Sequence, residues 1–242
     1  MTPATSALLG SDSSFTPRSL PNLEIWLPTS SATIGGGNLT WLDQSGNHND
    51  GAQPATVWSK VASSSGVPAH LTYPGGASSH INGTLAVGIA AGTPATLCIL
   101  RSIPVAGNSG KWFDLDFPSH QPLFALDSDA HGTPSRVLGG NFNGSEFVLW
   151  DDGATVGWVV DILIQDGAGT GTLYRGTTLK NTAAVSNLPI YAIGAPYTVG
   201  GSTLAGALDQ ARDIAEITLH GIALNSAQRA KMVAYLLGTI PP

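Results

Sequence analysis

The 242-residue chain is 42% hydrophobic, and only 11% of it is charged, against a usual share of about 25%. With 30 Gly and 16 Pro, this composition excludes a helical bundle, whose exposed faces need Lys, Glu and Arg. It fits many short strands joined by turns. The apolar content and the modest net charge of −6 exclude general disorder, and ten scattered Lys and Arg exclude a counterion-releasing nucleic-acid surface.

Residues 1–20, rich in Ser, Thr, Pro and Ala, read as an extended arm in which Pro3 and Pro17 prevent regular helix. Their start, MTPATSALLGSDSSF, has neither the basic nor the apolar stretch of a secretory signal. One domain is expected over residues 21–242. Leu23, Ile25 and Leu27 alternate with Glu24 and Trp26, the period of a strand. After the turn Gly35-Gly36-Gly37, Leu39 and Trp41 resume the alternation, and Asp43 to Gln53 is a polar loop. The uncharged stretch Ile81 to Leu100 is long enough to cross a membrane. Asn82, Gly83, Gly88, Gly92 and Pro94 within it exclude a spanning helix, and Thr84 to Val105 reads as two strands broken near Gly92-Thr93-Pro94. Cys98, alone in an apolar run, is a buried thiol with no disulfide partner.

Trp112 to Phe117 alternates cleanly. Glu146–Trp150 and Val156–Gln165 flank Asp151-Asp152-Gly153, the pattern of a β-hairpin. Within it Trp158, Val160, Ile162 and Ile164 share one face, opposite Asp161 and Gln165. A second hairpin is expected over Thr172–Leu179, turning at Arg175-Gly176, and further strands over Ile190–Ile193 and Ile214–His220. In the last of these, Ala215, Ile217 and Leu219 point to the core and Glu216, Thr218 and His220 outward. A helix closes the chain, with Asn225 as N-cap, Gln228 completing a capping box, and Ala230, Val233, Leu236 and Leu237 as the buried stripe.

Two segments resemble a known family. Leu23 to Ala52 looks like the opening of laminin G-like domains of the concanavalin A-like superfamily, where an LxLWL strand precedes a W-x-D-x-S-G-x-x-N-D/H turn. Here that turn is Trp41, Asp43, Ser45, Gly46, Asn49 and Asp50. Ile214 to Leu237 resembles the family's final strand and helix, and Thr172 to Gly194 its LYVDGVL…LxIG hairpin. The resemblance implies a two-sheet antiparallel jelly-roll sandwich with one short C-terminal helix. It also implies a module that binds glycans or proteins, of the kind found in phage and bacterial surface proteins.

Two polar clusters are candidate sites. Asp43, Asn47, Asn49 and Asp50 supply oxygens suited to a hard cation such as calcium. The EF-hand pattern fails there, with His48 at position 6 and Pro54 at position 12. A turn in which Asp43 and Ser45 accept backbone N–H groups accounts for the same residues and is preferred. On a strand, Trp112, Asp114 and Asp116 share one face, an aromatic with paired carboxylates that suits a sugar ligand. The related glucanases carry an E-x-D-x-(x)-E strand, and this segment has no Glu. No G-x-S-x-G elbow, zinc-ligand spacing or phosphate loop occurs. A non-enzymatic structural and binding protein follows. The first expectation is a phage virion surface component, attached to a capsid or tail protein through the arm and assembled from identical copies. The alternative is a carbohydrate-binding module for a cell-surface or environmental glycan.

Overall fold

The computed structural model describes residues 14–54, 56–73, 80–90, 92–103, 110–115, 124–129, 136–141, 146–151, 157–184, 194–200 and 212–242. The strands are β1 (Leu23–Pro28), β2 (Ala32–Gly35), β3 (Asn38–Trp41), β4 (Gly51–Gln53), β5 (Ser59–Val61), β6 (His70–Tyr73), β7 (Ile81–Thr84), β8 (Ala95–Ile103) and β9 (Gly110–Leu115). They continue with β10 (Phe124–Asp129), β11 (Arg136–Asn141), β12 (Glu146–Asp151), β13 (Gly157–Gln165), β14 (Thr170–Arg175), β15 (Thr178–Ala184), β16 (Pro196–Val199) and β17 (Arg212–His220). The helix α1 spans Ser226–Gly238. Two sheets form. The eight-stranded one runs β15-β14-β13-β8-β17-β6-β5 with β1 also paired to β17, and the nine-stranded one runs β12-β11-β10-β9-β16-β7-β4-β3-β2. The expected antiparallel sandwich with one C-terminal helix is the fold observed.

The central strands of the eight-stranded sheet are buried on both faces. Its inner face meets the other sheet through Ile25, Leu27, Leu97, Ile99, Leu163, Ile217 and Leu219, packed with Trp41, Phe113 and Tyr197. Its outer face carries Cys98, Leu100, Val160, Ile162 and Ile164, covered by Met232, Val233 and Leu236 of α1. The period-two faces of β13 therefore stand as expected, but the polar side of that strand is the sandwich interior. There Asp161, 0% exposed, binds Arg101 through Nε at 2.7 Å and Nη2, and Arg175 Nε at 2.9 Å. A buried carboxylate needs such paired donors.

Four expectations are corrected. Glu216, Thr218 and His220 point away from the inner core but are buried beneath the helix layer, and a bulge between Ile214 and Glu216 turns Ala215 outward to the same layer. β12 and β13 are no hairpin, because β12 pairs with β11 in one sheet and β13 with β8 in the other. Residues 15–20 are not loose arm but pack on the domain: Pro17 and Leu20 are buried, and Phe15 meets Tyr235 edge-on with centroids 6.1 Å apart. On α1 the buried residues are Met232, Val233 and Leu236, while Leu237 is exposed. The Asn225–Gln228 capping box is present in both directions, with hydrogen bonds of 3.0 and 2.9 Å. Residues 1–13, and the strand expected at Ile190–Ile193, lie outside the described residues.

Under the helix, Trp26 Nε1 donates to Glu216 Oε1 at 2.6 Å and the Tyr235 hydroxyl adds a second bond. Burial nevertheless pushes the Glu216 carboxyl up to about 7 from an ordinary 4.5. Burial also pulls the His220 imidazole down to about 4 from 6.5. Cys98, in the same layer, is fully buried and its thiol is pushed up to about 12, mainly by desolvation.

These two shifts oppose each other. Between about pH 4.5 and 7 the folded chain holds an extra proton on Glu216, so stability falls as pH rises through that window. Between about 6.5 and 4 the unfolded chain holds an extra proton on His220, so stability falls as pH drops. The contributions cancel over the shared range. Glu216→Gln should unmask the histidine, giving a stability that rises by about 1.4 kcal/mol per pH unit from pH 4 to 6.5. Urea midpoints across that range test this; parallel curves for variant and parent would show that Glu216 titrates as an ordinary carboxyl. Leu20→Ala should destabilise by about 2–5 kcal/mol, since it empties a site under α1. An unchanged urea midpoint would return residues 14–20 to the status of a loose arm.

Candidate functional site

The loop between β3 and β4 is built around one carboxylate. Asp43 is 7% exposed. Its Oδ1 accepts the backbone N–H of Trp26 at 2.8 Å and of Ser45 at 2.9 Å. Its Oδ2 accepts the Ser45 hydroxyl at 2.6 Å and the Asn49 N–H at 3.0 Å. An ionised carboxylate offers about four lone-pair sites, and all are taken. Positive φ at Gly46 (102°) and His48 (59°) closes the loop around it.

The amides tie this loop to its neighbours. Asn47 Nδ2 donates to the carbonyls of Leu23 (3.0 Å) and Glu24 (3.1 Å), and Asn49 Nδ2 to that of Glu24 at 2.5 Å. Asn49 Oδ1 accepts the Ala86 N–H, and its carbonyl accepts the Tyr197 hydroxyl at 2.6 Å. Asp50 Oδ1 accepts the Asp43 N–H at 2.7 Å. The four cation candidates are thus brought together, but as a knot of internal hydrogen bonds. Both Asp43 oxygens, Asn49 Oδ1 and Asp50 Oδ1 are committed, so the set does not fit a calcium shell of six to eight oxygens. Among the described residues no group of three or more His, Cys, Asp or Glu stands close enough to share a metal.

Of the second candidate, only the Trp112 side chain is described. Register places Phe113 opposite Leu126 but Lys111 opposite Asp127, so Trp112 is the extra residue of a β-bulge. The bulge breaks the alternation and sends the indole into the core, where it is 1% exposed. The Arg101 guanidinium lies 3.6 Å from its ring centroid, covering the face a sugar would need. Asp114 pairs along the backbone with Ala125 and Thr198. Asp116 and the side chain of Asp114 lie outside the described residues.

Instead, the Asp43 loop forms one wall of a cleft of about 500 Å³, within the usual range for small-ligand sites. Ser45, Gly46 and Asn47 line that wall. Arg18, Leu20, Asn22, Leu23 and Glu24 also line the cleft, with Val87, which is 43% exposed. Arg18 Nε donates to the Gln44 carbonyl at 2.7 Å, and its guanidinium lies 6.0 Å from the Trp26 ring centroid. Burial, and secondarily the Asp43 carboxylate, raise the half-buried Glu24 carboxyl above its ordinary value. The cleft therefore presents a cation, a carboxyl, an amide and apolar rim, a set suited to a polyhydroxylated ligand. Of these only Asn47 is legible as a candidate in the sequence. Arg18 lies in the expected arm, and no local spacing joins residues 18, 24, 47 and 87.

No family model matches the chain, and no curated protein matches it. Solved structures do. The chain superposes on the botulinum neurotoxin serotype D binding domain with a TM-score of 0.60 and 10% identity, covering 88% of this chain and 51% of that one. The binding domain of botulinum neurotoxin DC in complex with SialylT gives 0.67 at 11% identity, covering 89% and 52%. Trypanosoma rangeli sialidase in complex with sialic acid gives 0.61 at 13%, covering 89% and 33%. At these identities the likeness is one of fold, a two-sheet β-sandwich. The chain spans about half the length of the neurotoxin domains and a third of the sialidase.

Asp43→Ala should destabilise the protein by about 3 kcal/mol, because it leaves buried N–H groups of Trp26 and Asn49 unpaired. A chelator should leave the melting temperature of the parent protein where it was. A fall on chelation that calcium restores would mean that a cation, not the hydrogen-bonded turn, organises the loop.

Proposed function

We propose that this chain is a non-catalytic carbohydrate-binding domain that holds a cell-surface or environmental glycan in the Arg18–Glu24–Asn47 cleft. The cleft carries the reading: fixed polar groups and an apolar rim converge on an open volume, and the Asp43 knot makes that frame rigid. Preorganised donors and acceptors of this kind lower the ordering cost of binding a flexible sugar. The lectin-like fold supports the same reading, as does the printed association of two neighbours with SialylT and with sialic acid. The laminin G-like resemblance of the Trp41–Asp50 turn points the same way. The setting on a phage virion rests on the N-terminal sequence. With Phe15 to Leu20 packed into the domain, residues 1–13 are what remains for a capsid or tail contact, and co-sedimentation with particles tests that setting.

A glycan array probed with the full chain should show discrete binders. Val87→Trp fills the rim without touching a hydrogen bond of the Asp43 knot, and it should abolish that binding at an unchanged melting temperature. Binding that survives in the variant would move the site off the cleft, and an array without binders would remove the reading.

A further inference from the structure

Resting on the cleft as a glycan site, we propose that it selects a sugar bearing a carboxylate and that Arg18 is the residue that recognises it. The other arginines whose side chains are described are engaged elsewhere. Arg101 and Arg175 neutralise Asp161 inside the sandwich. Arg229 gives Nη1 to the Leu224 carbonyl at 2.8 Å and stacks on Tyr174 at 4.2 Å. Arg18 differs: it is exposed, it lines the cleft, and among the described residues no carboxylate lies within ion-pairing distance of it.

Its position is nevertheless fixed. The Nε–H bond to the Gln44 carbonyl and the approach to the Trp26 ring hold one edge of the guanidinium against the Asp43 loop. Nε is thereby used, and the two terminal nitrogens remain as a planar pair of donors. A planar fork of that kind matches the two oxygens of a carboxylate, which a ring hydroxyl cannot match. Rotamer freedom that a flexible cation loses on binding is already lost here.

The second charged lining residue sets the discrimination. Glu24 leans toward Gly221, where an added β-carbon would meet its Oε1 at 3.1 Å. It lines the same cleft as Arg18 with no ion pair between them, so it is free to accept sugar hydroxyls. Its charge opposes a ligand carboxylate without cancelling Arg18. Substitution of the two residues must therefore move affinity in opposite directions, which no general loss of structure would do.

The test uses two matched pairs of probes, sialyllactose against lactose and a glucuronate-terminated disaccharide against its glucose-terminated counterpart, titrated calorimetrically into the full chain. The acidic member of at least one pair should bind roughly tenfold or more tightly than its neutral partner, with affinity falling as salt rises. Arg18→Gln should erase both the preference and the salt dependence. Glu24→Gln should strengthen binding of the acid relative to that of its neutral partner. Equal affinities within both pairs overturn the proposal while leaving a glycan site in place, and so does an acid preference that Arg18→Gln leaves intact. Failure of all four probes in a protein that also binds nothing on the array overturns the glycan reading itself.

Discussion

A single buried carboxylate organises the loop that lines the cleft. Asp43 accepts from Trp26 on β1, from Ser45 twice within its own loop, and from Asn49 at the loop's far end. Each bond exchanges a water contact for a protein one and is worth little alone, about 1 kcal/mol net. Four donors converging on one anion also cancel its desolvation cost, which a lone buried carboxylate could not bear. Strand β1 and the β3–β4 loop are therefore fastened at one point. Everything that lines the cleft is referenced to that point: Asn47 through the Leu23 and Glu24 carbonyls, and Arg18 through Gln44.

The wider frame depends on a sheet whose central strands are wet on neither face. A sandwich sheet ordinarily covers one side and exposes the other. Here α1 and residues 15–20 roof the outer side of the eight-stranded sheet. Polar side chains on β13 and β17 are consequently buried whichever way they point. On the inner side Asp161 meets this with two guanidinium groups, and on the outer side Glu216 does so with an indole and a phenol donor. The first solution keeps the charge by pairing it, and the second favours the protonated form.

What the sequence made legible follows range. The Asp43 turn was readable because its donors lie two and six residues away, where Asx chemistry acts. The capping box at Asn225 and the hairpin turning at Gly176 are local in the same sense. The faces of β13, and of β17 beyond its bulge, were also readable, since period two states which residues share a side. What lies across from that side is not written in the period. Glu216 and His220 looked solvated because the helix that covers them arrives later in the chain. Trp112 looked like a platform because a bulge, which alternation cannot foresee, turns it inward. Glu146–Trp150 and Val156–Gln165 looked like partners because alternation on both sides of an Asp-Gly pair is a hairpin signal, and it does not say in which sheet each segment finds its neighbour. The cleft was hidden altogether, as its lining spans residues 18 to 87 and converges only after folding.

The helix roof has one more consequence, through the chain's only cysteine. Thiol chemistry runs through the thiolate, and at Cys98 that form is suppressed by burial while α1 blocks approach from the outer side. The native protein is thus inert to oxidants and alkylating agents at this position. Reactivity appears only in molecules whose roof has lifted, so the rate of labelling counts those openings. A residue with no role in the cleft becomes a built-in clock for how often the outermost layer breathes.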